Sequence, residues 1–572
     1  MKRSFAIVAA LVATLATGCA STRGGQDIAC DDFDKYAFTP APSGFVQDIQ
    51  RYAPGGENGL AAAESAGASP LDTLITREVF GTTPAAADAA ANASGAEAIV
   101  VERPFPMRNL LLLSGGGQWG AYGAGLFLGL VCRQDPVPAD RKQTPCLGEN
   151  RQIITQGANG DPLLDFTPLD EMNIGLITGV STGGLQAMLL MAVLDKGQTD
   201  KARTAALQQL LTSYAPESED VLVDRGGFES VIITGSVAGT DPLRGHVRDV
   251  LTMKFPFRDA IRDPETQAIT GYTPEEDRRL IDQIGKSPIT TVVGIVEGTD
   301  GQFKYVDMKA MVKKIALEER LARLRGGDAD EEEDDEPSVD KATRCALATT
   351  MASAAMPVFH QQLRVLQATA ASGEEPTIDE RTLFDGGVRR SVFVSEIGDI
   401  FRTRYSSLTG KMSDATYNKA LRDGTLPRVF VLRNGPTTSK VARDVDDVST
   451  AIPQAMRAYS LLVNELEVGS IASLRLANPY GPIEVSTADG AEQDEAPSNG
   501  STDAIRRLAC TKEEQMFKPE FMRCLQNFGA RRGMELEMDA RGDPIPAFWD
   551  LRPIAKRPPP DDSGADTQPS DP

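Results

Sequence analysis

From Arg108 the chain reads RNLLLLSGGG, a compact apolar run ending in glycines, which predicts a buried strand followed by a tight turn. The segment that follows, GAYGAGLFLGLV, has helical character. The same pairing recurs at Ile174 to Thr178, an apolar run that ends at Gly179. Beyond it, GGLQAMLLMAVLDKG spaces Leu185, Met188, Leu189 and Ala192 at helical intervals. ITTVVGIVEGTDGQFKYVDM predicts two strands about a Thr-Asp-Gly turn, and RTLFDGGVRR and LPRVFVLRN predict further short strands. VDKATRCALATTMASAAMPVF predicts a small-residue helix stopped by Pro357, and AMRAYSLLVNELEVGSIASLRLAN a long amphipathic one. Strands alternating with helices predict an α/β layered fold with a mainly parallel central sheet flanked by helices.

Around this patterned region the chain changes character. From Ala53 to Ala98 it is dominated by alanine, glycine and small polar residues, a composition that buries little and predicts a tether, with a short helix conceivable in PLDTLITREVF. LARLRGGDADEEEDDEP predicts a helix end running into a solvated acidic loop, which lacks the interleaved oxygen ligands of a calcium site. The tail, PPPDDSGADTQPSDP, offers nothing to bury and is expected to be disordered.

Length and charge narrow the function classes. At 572 residues the chain exceeds what one core usually supports, so a catalytic-sized domain with additions is expected. Its formal charge of −22 argues against binding a polyanion, and nucleic acid is not expected as a partner.

The N-terminus, MKRSFAIVAALVATLATGCAST, sets Lys2 and Arg3 before an apolar run and small residues, the layout of a secretory signal. Its end, LATGC, resembles the lipobox of bacterial lipoproteins. That resemblance implies that Cys19 is lipidated as the first mature residue and anchors the protein in the cell envelope, with Ala20 after it leaning toward the outer membrane. Six cysteines remain, Cys30, Cys132, Cys146, Cys345, Cys510 and Cys524, an even number that permits disulfides in an exported chain. Cys132 with Cys146 and Cys510 with Cys524 would close short loops, although spacing alone leaves connectivity open. None has the CxxC spacing of a zinc site.

The candidate chemistry centres on GVSTG, in which Gly179 and Gly183 flank Ser181 between a predicted strand and a predicted helix, as in a nucleophile elbow. The bland alternative is a serine that merely caps the helix. A serine nucleophile needs a base and donors for the developing oxyanion. The chain has only two histidines, His246 and His360, and none follows His360, where a Ser-His-Asp hydrolase of this type would carry one. The base is therefore expected to be something other than histidine.

LLLSGGGQWGAYGAG, GVSTGG, ASAAMPVF and LFDGG, in this order, resemble the patatin-like phospholipases and acyl hydrolases, over roughly Asn109 to Asn434. The resemblance implies a Ser-Asp dyad with Ser181 as nucleophile and Asp385 as base, and an oxyanion loop of Gly115, Gly116 and Gly117. It further implies membrane lipids as substrates and no cofactor. Asp385 would have to be partly desolvated and held against Ser181, because an ordinary carboxylate, with a pKa of about 3.9, is a poor base for a hydroxyl. The chain departs from the family at Trp119, where a basic residue is common, and after the DGG, where VRRSVFVSE replaces an approach to an asparagine-proline pair.

These readings divide the chain into a signal peptide (1–18), a lipid-anchored N-terminal segment (19–105), the catalytic domain (106–440), a helical extension packed on it (441–555) and the tail (556–572). Two other readings compete. GGGQWG, with Asp135 downstream, also satisfies a dinucleotide-binding fingerprint, though a lone match of this kind is weak. The second is an envelope scaffold that keeps the fold without catalysis.

Overall fold

The computed structural model describes residues 26–30, 33–40, 70–81, 107–133, 144–225, 238–263, 269–324, 340–369, 377–392, 413–437, 451–491, 510 and 517–551, apart from isolated gaps of one to three residues. The expected signal segment with Cys19, Asp135, most of the alanine-rich stretch, the acidic loop and the C-terminal tail lie outside the described residues.

The central sheet has 11 strands among the described residues. They are β1 (Gln26–Ala29), β2 (Ala37–Phe38), β3 (Asn109–Leu113), β4 (Ile174–Val180), β5 (Thr290–Glu297), β6 (Phe303–Asp307), β7 (Leu363–Thr369), β8 (Thr377–Asp385), β9 (Val429–Arg433), β10 (Ile483–Thr487) and β11 (Trp549–Asp550). The hydrogen-bonded order runs β1–β7–β8–β5–β4–β3–β9–β10–β11, with β6 on β5 and β2 on β6. The middle of the sheet, from β5 through β4, β3 and β9 to β10, is parallel throughout. Antiparallel pairs flank it.

The helices that matter to the site are α1 (Pro70–Glu78), α2 (Gly120–Val131), α3 (Thr182–Leu194), α4 (Asp200–Ser213), α5 (Met308–Leu324), α6 (Lys341–Ala354), α7 (Ala451–Ala477) and α8 (Pro519–Gly533). Two cores explain the near-continuous apolar runs of the central strands, since a parallel sheet covered on both faces has no polar side. Leu111, Leu113, Ile177, Val293 and Ile295 face the core made with α2, α3, α4, α5, α6 and α8. The alternate residues Leu110, Leu112, Leu176, Val180, Val292 and Val296 face a second core with α1 and α7. Helix α3, which follows the GVSTG turn, is buried on every side. No described helix is long and apolar enough to cross a membrane.

Several segments do more than their composition suggests. β1 and β2 come from the expected N-terminal segment and join the sheet. Within the alanine-rich stretch, α1 inserts Leu71, Leu74 and Ile75, one helical face, into the second core. Residues beyond 440 supply β10 and β11 as well as α7 and α8, so that part of the chain extends the sheet rather than only covering it with helices. Disulfides join Cys132 to Cys146 and Cys510 to Cys524, and a third joins Cys30, beside β1, to Cys345 on α6.

Candidate active site

The sheet register brings the two predicted reactive side chains together. β4 pairs with the first part of β5, ending where Val180 faces Gly294. β6 occupies the opposite edge of β5, facing Val292 to Val296. β8 must therefore pair on the edge that β4 uses, and it does so one rung further on, with Asp385 opposite Ile295. The chain turns away from the sheet at Ser181, and Asp385 arrives from the other direction on the rung that Ser181 leaves vacant.

The turn at Ser181 is strained. Its φ of 54° and ψ of −126° lie where a non-glycine residue costs on the order of 1–3 kcal/mol, a cost that persists only where surroundings enforce it. The turn is so tight that a Cβ on Gly179 would stand 2.2 Å from the Gly183 carbonyl oxygen, which accounts for the glycine. Although Ser181 occupies the cap position of α3, its side chain makes no capping hydrogen bond, so the bland reading of this serine does not describe it. The hydroxyl instead lies close enough to the Asp385 carboxyl to favour its ionised form.

Asp385 is 5% exposed. Burial pushes its carboxyl up to about 7; the nearby Ser181 hydroxyl and the hydrogen bond from the Gly387 N–H oppose that rise, and the Glu467 carboxylate adds to it. Glu467 is held on α7 by an ion pair with Arg433 at 3.1 Å. The Gly387 N–H donates to Asp385 Oδ1 at 2.7 Å, so Asp385 also performs the turn-capping role common for aspartate before glycine. A carboxyl with a pKa near neutral is far better matched to proton exchange with a hydroxyl than an ordinary aspartate.

The end of α6 fixes both partners from behind. Ser353, fully buried, accepts the Ser181 N–H at 2.8 Å and donates to the Gly294 carbonyl at 2.7 Å. Two residues on, the Ala355 carbonyl accepts the Asp385 N–H at 2.9 Å. The stretch ASAAMPVF therefore grips the backbone of both side chains, a role that small size and spacing do not reveal in a sequence.

Gly115, Gly116 and Gly117 follow β3, whose end lies beside the turn: a Cβ on Gly183 would stand 2.7 Å from the Ser114 carbonyl oxygen. Among the described residues, none accepts a hydrogen bond from their three N–H groups. The N-terminus of α3 adds a favourable dipole for negative charge at the turn.

Neither histidine reaches the pair. His246 lies in the helix Asp241–Thr252, and His360 is buried with its Nδ1 2.9 Å from the Ala354 carbonyl oxygen. Burial lowers the pKa of both. Among the described residues neither is hydrogen-bonded to Ser181 or Asp385. No group of residues suited to a metal ion occurs among the described residues. The dinucleotide fingerprint rests on Asp135, outside the described residues.

The chain belongs to the patatin-like phospholipase family, whose model matches residues 111–396, half of its length. Comparison with curated proteins finds no match. Among solved structures, the crystal structure of VipD from Legionella pneumophila is similar at 12% identity and a TM-score of 0.18. That match covers 63% of this chain and 55% of the other, so it spans little more than half of the VipD chain.

Proposed function

We propose that the protein is a serine acyl hydrolase that cleaves carboxylic esters of phospholipids and related acyl lipids through a Ser181–Asp385 dyad. The observation that carries this reading is the strand register that sets a buried Asp385 on the rung next to the Ser181 turn, where burial pushes its carboxyl up to about 7. The lipid substrate class follows from the family.

In the proposed reaction, Asp385 takes the proton of Ser181 as Oγ attacks the ester carbonyl. The N–H groups of Gly115, Gly116 and Gly117 receive the oxyanion, where losing one donor typically costs about 2.7–4 kcal/mol of barrier. The tetrahedral intermediate collapses, breaking the ester C–O bond, and the protonated Asp385 passes its proton to the departing alcohol. Water then attacks the acyl-serine with Asp385 again as base, and the fatty acid and free Ser181 are restored. A reaction of this kind requires neither metal nor cofactor.

Lipidation at Cys19 would hold the enzyme at the bacterial envelope, on the outer membrane, within reach of its substrate. The three disulfides support an oxidising location. Fatty-acid release from phosphatidylcholine vesicles tests the proposal. Release by the wild type and none by Ser181→Ala supports it; equal release by both refutes it.

A further inference from the structure

We infer that Asn434 is a positioning residue for the oxyanion loop, acting with Gln186 as a buried clamp between that loop and the helix that carries Ser181. The inference rests on the acyl-hydrolase reading above. Asn434 follows β9 and lies beyond the matched family stretch of 111–396.

Asn434 is 1% exposed, and Gln186 on α3 is fully buried. Asn434 Nδ2 donates to the Ser114 carbonyl at 2.9 Å and to Gln186 Oε1 at 2.8 Å. Its backbone N–H donates to Ser114 Oγ at 2.9 Å, and that hydroxyl donates to the Gly115 carbonyl at 2.8 Å. Gln186 Nε2 donates to the Gly120 carbonyl at 2.7 Å, on the far side of the glycines. One side chain of the nucleophile helix thus reaches both ends of the loop, directly at Gly120 and through Asn434 at Ser114.

The consequence follows from peptide geometry. In a trans peptide the N–H points opposite to the C=O of the same plane. Asn434 draws the Ser114 carbonyl inward, which turns the Gly115 N–H outward. The Ser114 hydroxyl, set by the Asn434 N–H, holds the Gly115 carbonyl and so turns out the Gly116 N–H. The Gly116 carbonyl accepts from Trp119 N at 3.1 Å, which leaves the Gly117 N–H outward in turn. Asn434 therefore governs two of the three donor planes. The contact is close enough that a Cβ on Gly116, whose φ is 140°, would stand 2.0 Å from the Asn434 carbonyl oxygen.

A clamp on oxyanion donors acts on the transition state and not on the bound lipid, so its loss should fall on kcat. Asn434→Ala in the full chain is expected to lower kcat for a nitrophenyl ester by about 10²–10³-fold, the effect of one lost oxyanion donor. KM and the affinity for a non-hydrolysable ether lipid should stay within about threefold. Circular dichroism establishes folding. If Asn434→Ala does not fold, Gln186→Met, which keeps length and packing while freeing the loop from α3, is read by the same split. A folded variant with kcat within about threefold of wild type overturns the clamp, as does one that loses kcat and ether-lipid affinity together. A wild-type enzyme that fails to turn over the ester refutes the hydrolase reading instead.

Discussion

Val180 and Asp385 stand on neighbouring rungs of one edge of β5, Val180 facing Gly294 and Asp385 facing Ile295. Strand register thus sets the Ser181 hydroxyl against a carboxyl that no histidine separates from it. A slip of one rung would also reverse the faces of β8, so the pairing is under strong control from the core.

Asp385→Asn is expected to remove activity while raising stability above neutrality. The folded pKa of about 7 exceeds the unfolded value of about 3.9, so the stability associated with this carboxyl is fully present below pH 4 and is lost as pH rises through 7. Asparagine stays neutral across that window. Thermal melts at pH 8 should therefore show the variant melting above wild type, with the gap closing at pH 4. A variant that melts below wild type at pH 8 contradicts the burial account.

Ser353→Ala leaves the Ser181 N–H without its acceptor in a strained turn. An unsatisfied buried donor costs about 1–3 kcal/mol, and relaxation of the turn should withdraw the hydroxyl from Asp385. The expected outcome is a lower melting temperature together with a kcat loss of about tenfold or more. An unchanged kcat in the folded variant would show that the turn holds without Ser353.

His246→Ala and His360→Ala should keep most of the esterase activity of the folded protein. His360→Ala should also lower the melting temperature, because its bond to Ala354 and its buried volume are lost. Loss of turnover in either variant as complete as in Ser181→Ala would replace the dyad by a triad.

Cys30→Ser with Cys345→Ser releases a cross-link between residues 315 positions apart, which ties β1 to the helix that carries Ser353. Loop-closure entropy puts such a bridge at about 5–6 kcal/mol on the chain-entropy model. The melting temperature is expected to fall markedly, more than for Cys132→Ser with Cys146→Ser, whose loop spans 14 positions. Equal losses would contradict the entropic ranking.

Much of the site could be read from the chain because its parts are local. A strand, a glycine-flanked serine and a helix fall within Ile174 to Leu194, and FDGG ends a strand within a few residues. What joins these parts was not legible. Asn434 and Gln186 are single polar residues whose significance lies in partners 320 and 248 positions away, and no periodicity marks them. The Cys30–Cys345 bridge likewise depends on the fold, not on spacing. The N-terminal strands leave no mark in the sequence for a different reason: β1 and β2 are short edge segments in a stretch without a repeating apolar pattern.

The central claim, that Asp385 is the base for Ser181, is tested most directly by the rate at which a fluorophosphonate labels Ser181 as a function of pH, in wild type and in Asp385→Asn. The wild-type rate should rise through about pH 7 to a plateau, since the carboxyl accepts a proton only when ionised. In Asp385→Asn the rate should be about 10²–10⁴-fold lower at pH 8, with the limb near 7 absent. Labelling of Asp385→Asn at the wild-type rate, with the same limb, would contradict the account and remove Asp385 from the chemistry.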